Sequence, residues 1–115
     1  LYLSMFESCM KFEWKPGEEW DIQYTVIPRP DSDGNFGRVV ALDLAHGKVS
    51  WHQRRRASQA SAMLATAGGL VFEGSRDRWF RASNSDSGEV LWQARLDMTP
   101  NAFPISYAHD GAQYV

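Results

Sequence analysis

The sequence has one cysteine, no long apolar run and no surplus of positive charge. A lone Cys9 excludes an intrachain disulfide framework and a multi-cysteine metal site. No stretch nears the roughly 18 apolar residues of a spanning helix, so this chain holds no transmembrane segment. Twelve Lys and Arg against 14 Asp and Glu give a net charge of −2. Such a balance offers nothing to neutralise phosphates, so nucleic acid is not an expected partner. Helical periodicity is scarce too. The best stretch, residues 57–66, is short and poor in apolar anchors, and reads as a connector between strands.

What is present is ordinary globular composition, 43% hydrophobic and 13% aromatic, which excludes a disordered tail. Short runs rich in Val, Leu, Phe and Trp occupy residues 38–44, 48–52, 69–72, 79–82, 89–94 and 105–107. Clusters such as Asp31-Ser32-Asp33-Gly34-Asn35 and Asn84-Ser85-Asp86-Ser87-Gly88 separate them. Strands and turn signals at this spacing predict an all-β protein.

An internal repeat sharpens the prediction. Ala41, Asp43, Gly47 and Trp51 recur as Ala82, Asn84, Gly88 and Trp92, each 41 residues later (82 − 41, 84 − 43, 88 − 47, 92 − 51). Val49 and Val90 match at the same offset. A period of this length with β content corresponds to one four-stranded propeller blade. Each residue type has a physical role. The alanine fits where one blade packs on the next. Asp or Asn closes an Asx turn, and Gly supplies the positive φ of the reversal. Trp buries a large ring and can donate its indole N–H to a neighbouring blade. These eight residues are the candidate blade-docking set, with Trp51 and Trp92 expected to be buried and equivalent. The chain opens in an apolar Leu1-Tyr2-Leu3 and stops in Gln113-Tyr114-Val115. Both ends read as strand, so residues 1–115 are expected to be a fragment: about two blades and the start of a third, with no internal domain boundary.

The repeat and four further segments resemble the pyrroloquinoline quinone (PQQ)-dependent alcohol dehydrogenases, the tryptophan-docked quinoprotein propellers. Glu7-Ser8-Cys9-Met10 after Leu1-Tyr2-Leu3 is similar to the family's segment after a Tyr-containing strand. Thr66-Ala67-Gly68-Gly69-Leu70-Val71-Phe72 is similar to its Thr-x-Gly-Gly-Leu-Val-Phe signature. Asp77 to Ala82 resembles the next strand, and Pro104 to Tyr107 with Asp110 to Val115 resembles the opening of the following blade. Ser4 and Ser8 depart from it, standing where many members have Pro and Asn. The resemblance implies a periplasmic enzyme that oxidises an alcohol with PQQ and a calcium or lanthanide ion, passing electrons to a cytochrome c. It also implies that the catalytic aspartate, the metal ligands and the ring-stacking groups lie outside this chain. No catalytic, cofactor-binding or metal residue is therefore assigned to it, and alone it is expected to be inactive. If the site is misplaced, Glu7, Ser8 and Thr66 are the first candidates. A non-catalytic envelope propeller that binds other proteins, and a sugar quinoprotein, are the competing readings.

The remaining residues have blander readings. Cys9 is expected to be a small buried hydrophobe. His46, His52 and His109 lack ligand spacing, and His46 is expected in an exposed turn. Residues 31–35 start like a calcium loop, but Phe36 and Leu42 occupy the positions that need Gly and Glu, so a polar turn is expected. Gly68-Gly69 is expected to let backbones pass closely. Arg54-Arg55-Arg56 reads as a solvated strand end. Trp14, Trp20 and Trp79 have no assigned role.

Overall fold

The computed structural model describes residues 1–14, 16–17 and 22–115; Trp20 lies outside the described residues. The strands are β1 (Tyr2–Phe6), β2 (Ser8–Trp14), β3 (Ile22–Pro28), β4 (Gly37–Asp43), β5 (Lys48–Arg55), β6 (Leu64–Ala65), β7 (Leu70–Gly74), β8 (Trp79–Asn84), β9 (Val90–Arg95), β10 (Tyr107–His109) and β11 (Ala112–Tyr114). Among the described residues there is no helix, as the turn spacing predicts.

β1, β4 and β5 form one antiparallel sheet, and β6, β7, β8 and β9 form a second. In the first, Ala41 stands opposite Trp51 and the register shifts directly after Ala41. In the second, Ala82 stands opposite Trp92 and the register shifts directly after Ala82. The turns match as well. Asp43 Oδ1 accepts from the backbone N–H of Ala45 and His46 at 2.9 and 3.3 Å. Asn84 Oδ1 accepts from Asp86 and Ser87 at 2.8 and 3.0 Å. Gly47 and Gly88 close the two turns at φ +64° and +75°, where an L side chain is strained. The period of 41 is thus a period in space. β10 and β11 make a separate hairpin beyond the second sheet.

The buried apolar residues, Val39, Val40, Ala41, Val71 and Ala82, lie on the central strands of the two sheets. The radius of gyration is 17.7 Å, against about 13 Å for a compact domain of this length. Two slabs side by side and a projecting hairpin account for the difference.

That hairpin, β2 with β3, is absent from the expected strands. Seven pairs join it, from Ser8↔Pro28 to Trp14↔Ile22. Its signal was the alternation Met10-Lys11-Phe12-Glu13-Trp14, apolar and polar in period two. Residues 57–63 form no helix and pass between the blades as a connector, touching the second sheet through a Gln59↔Ser75 bridge.

Candidate functional site

Of the eight sequence-derived docking residues, Trp51 and Gly88 come together between the two blades, while Gly47 has no neighbour over it. The half-buried Trp51 indole crosses to the second turn and donates from Nε1 to the Ser85 carbonyl at 2.8 Å. Tyr2 donates its hydroxyl to the same carbonyl at 3.1 Å, and the two rings lie 5.9 Å apart. Ala41, Ala82 and Gly88 are buried. Trp92 differs from the expectation: it is 52% exposed, because no Asx-Gly turn of a further repeat stands over it among the described residues. Asp43 is held below the ordinary carboxylate range, first by the His46 side chain and then by backbone N–H groups.

The other candidate surface is at the end of the sheets where β1 leaves, β7 turns into β8, and the connector runs in. An open cleft of about 500 Å³ lies there, lined by Ser4, Phe6, Gln59, Ala60, Ser61, Arg76, Thr99 and Asn101. The Arg76 guanidinium stands over the Phe6 ring at 5.8 Å. These two residues also border a second cleft of about 470 Å³, which includes Ser8, Val26, Phe36 and Arg56.

Two buried carboxylates support this end of the molecule. Glu73, on β7, is 1% exposed. It accepts from Gln59 Nε2 and from Arg55 Nε at 3.3 Å, with Arg81 Nη1 3.9 Å away. Burial holds its carboxyl above the ordinary carboxylate range, although Arg55 and Arg81 pull it down. Arg81 in turn donates to Ser75 Oγ at 2.7 Å, and burial works against its charge. Glu7, between β1 and β2, is also 1% exposed. Arg29, Arg38 and Arg54 approach it at 3.4, 3.3 and 3.3 Å. The backbone ties it as well: Glu7 N–H donates to Phe36 O, and Arg29 N–H donates to Glu7 O, both at 2.9 Å.

Several expectations are corrected by this geometry. Arg54 and Arg55 are not a solvated strand end, because each reaches a buried carboxylate; only Arg56 is exposed. Cys9 is exposed rather than buried, because it lies on the two-stranded β2–β3 hairpin, paired with Ile27 near its base, rather than within a blade. Gly69 serves the turn, not a close approach: φ is +76° and a Cβ would be no nearer than 3.7 Å to Ser85 Oγ. The close approaches are at Gly37, Gly74 and Gly88. Thr66 Oγ1 faces the Leu70 carbonyl at 3.3 Å, inside that same turn. Residues 31–35 make a polar turn in which Ser32 Oγ donates to Asn35 O at 2.7 Å. His46 is exposed, its ring 2.6 Å from Asp43. Trp14 is exposed, and the Arg81 and Arg95 guanidiniums stand 5.9 and 6.0 Å from the centre of the Trp79 ring. Sequence reasoning missed Glu73, Gln59 and Arg76, which carry no motif of their own.

Among the described residues no three His, Cys, Asp or Glu side chains converge to hold a metal ion. PQQ is a flat quinone with three carboxylates, and the larger cleft brings it one guanidinium, Arg76. The described residues therefore do not fit a complete cofactor and metal site. They offer one wall of such a site at most.

Comparison with known proteins relates the whole arrangement to others. Residues 53–115 match the family model for the glucose/ethanol/alcohol dehydrogenase PQQ β-propeller domain. The chain is 38% identical over 94 residues to methanol dehydrogenase [cytochrome c] subunit 1 of Paracoccus denitrificans, covering 79% of this chain and 15% of that protein. It is 34% identical over 99 residues to the 1-butanol dehydrogenase (cytochrome c) of Thauera butanivorans, covering 86% and 14%. A europium-containing methanol dehydrogenase superposes on 97% of this chain and 21% of its own, with a TM-score of 0.79 and 27% identity. The chain thus spans about a seventh to a fifth of the length of these proteins.

Proposed function

Because the chain belongs to the PQQ-dependent glucose/ethanol/alcohol dehydrogenase β-propeller family, we propose that it forms one sector of a periplasmic propeller that oxidises an alcohol. PQQ with calcium or a lanthanide ion would be the redox group, and a cytochrome c the electron acceptor. The relatives' names support the alcohol and cytochrome parts of this reading, and the europium-containing neighbour supports a lanthanide.

The observation that carries the proposal is Trp51 docked on the second repeat's turn, with the second blade wholly inside the family match. A cofactor enclosed by several blades needs them held in fixed register. This chain's contribution is that register. Trp51 and Tyr2 lock one blade to the next, Glu73 and Glu7 brace the cleft end, and Arg76 offers that end one cation.

The test uses the full-length protein. Loaded with PQQ and calcium or a lanthanide, it is expected to reduce cytochrome c when a primary alcohol is added. Cell fractionation should place it in the periplasm. A protein that neither binds PQQ nor turns over alcohols or sugars would support the scaffold reading instead. Residues 1–115 alone are expected to give no saturable quenching of tryptophan fluorescence by PQQ at micromolar concentration.

A further inference from the structure

The smaller of the two clefts, at the base of the β2–β3 hairpin, is walled by segments of this chain that hold one another in place. Glu7 N–H donates to Phe36 O at 2.9 Å, Phe36 N–H to Arg56 O at 3.3 Å, and Arg76 N–H to Ser58 O at 3.0 Å. The end of β1, the turn before β4, the connector and the β7–β8 turn are thus tied in series. The space they leave is about 470 Å³, within the range of small-molecule sites. Its walls are set before any ligand arrives, which lowers the ordering cost of binding.

The lining is chemically divided. Phe6, Val26 and Phe36 give it apolar surface, Arg56 and Arg76 give it two guanidiniums, and no carboxylate lines it. These two arginines differ from most of their kind in the chain. Arg29, Arg38, Arg54, Arg55 and Arg81 each stand within 4 Å of a carboxylate. Among the described residues, Arg56 and Arg76 do not, and both are exposed. Arg76 stands instead over the Phe6 ring at 5.8 Å. A ring face attracts the cation but leaves the N–H edges of the guanidinium free to donate.

We propose that this cleft binds a small organic anion: a carboxylate carried on an aryl or short alkyl body. The guanidiniums take the carboxylate through charge-assisted hydrogen bonds, and the body covers the apolar wall. An inorganic anion leaves that wall wet, and a neutral alcohol leaves both arginines without a counter-charge. A volume of this size suits a small molecule better than an extended acidic peptide. The site is separate from that of the redox cofactor, and its binding does not rest on the alcohol-oxidising reading.

Isothermal titration of benzoate into the full-length protein, with and without PQQ, tests this. Saturable one-to-one binding is expected in both states. Benzyl alcohol, which lacks the charge, and sulfate, which lacks the body, should each bind roughly tenfold more weakly or worse. Arg56→Gln and Arg76→Gln should each weaken benzoate roughly tenfold, as loss of a hydrogen bond to a charged group does. Arg95→Gln, at an exposed arginine outside the cleft, should leave binding unchanged. No binding by the wild type overturns the proposal, and so does binding that sulfate matches or that neither cleft variant weakens. Benzoate binding abolished by PQQ would put the anion in the larger cleft and overturn it too. Capture of a hexaglutamate peptide without benzoate binding would assign the surface to a protein partner instead. If the variants do not fold, hydrogen exchange on the wild type decides. Benzoate should slow exchange in residues 56–58 and 75–77, and exchange that it leaves unchanged rules the site out.

Discussion

Trp51 lies flat against the backbone of Gly88, so close that a Cβ at Gly88 would stand 2.6 Å from Cε3 of the indole. The first repeat offers an internal control. Gly47 has the same kind of φ but nothing within 4 Å of its would-be Cβ. Gly47→Ala should therefore cost only the strain of a left-handed residue, about 1–2 kcal/mol. Gly88→Ala should add overpacking of about 1–3 kcal/mol. Urea unfolding of the full-length protein measures both; equal losses would mean that the indole is not held there.

The ring and its N–H can be separated. Trp51→Phe keeps most of the apolar contact and loses the bond to Ser85, for about 1 kcal/mol. Trp51→Ala should cost about 3–5 kcal/mol, as aromatic deletions in packed positions do. If the two variants are equally stable, the hydrogen bond dominates the dock and packing does not.

Glu73 gives a pH dependence of definite sign. Its folded carboxyl titrates above the ordinary carboxylate range because burial outweighs its two arginines. Between the unfolded and folded values the unfolded chain binds fewer protons, so stability falls as pH rises through that window. Its full contribution is present only below it. Glu73→Gln should match the wild type in acid and be the more stable of the two at neutral pH. A gap that is constant across the range would contradict this.

Glu7 is the pivot of the hairpin. Glu7→Gln leaves three guanidiniums without their shared carboxylate. The expected loss is about 2–4 kcal/mol, at or below the cost of breaking a fully buried pair, because the arginines are partly open to water. Limited proteolysis should then cut first around residues 7–8 and 29. Unchanged digestion would show that the backbone bonds alone hold the hairpin.

Cys9 should react with a thiol reagent in the native protein, one equivalent per chain, since it is exposed and on the hairpin face opposite Phe12 and Tyr24. Labelling that requires denaturant would show this face covered.

The blades were legible in the sequence because their information is local. An Asx turn, a positive-φ glycine and a strand ending in Trp recur at one period, and each reports on its own few residues. The β2–β3 hairpin is equally local, an alternation of apolar and polar residues over Met10 to Trp14, but it lies outside the repeat and so carries no second copy to confirm it. The buried charges were not legible at all. Arg54 and Arg55 are adjacent in sequence, but neighbouring strand residues point to opposite faces, so one reaches Glu7 and the other Glu73. A basic triplet does not disclose that its members part company. Nor does a motif tell whether its Trp finds a turn to rest on, which is why Trp51 and Trp92 differ.

The dock has a polarity, and the polarity runs one way along the chain. A donor surface, Trp92, stands 52% exposed at one side of the pair of blades. An acceptor surface, the turn at Gly47, stands open at the other. These are the two halves of the contact already made between Trp51 and Gly88. Such a heterologous, head-to-tail contact has no natural stopping point; it ends only when the rotation per unit closes a ring, and otherwise it continues as a filament. Residues 1–115 released from any longer chain carry both halves at once. Their expected fate is therefore linear polymerisation, with a lag and a concentration threshold visible by light scattering.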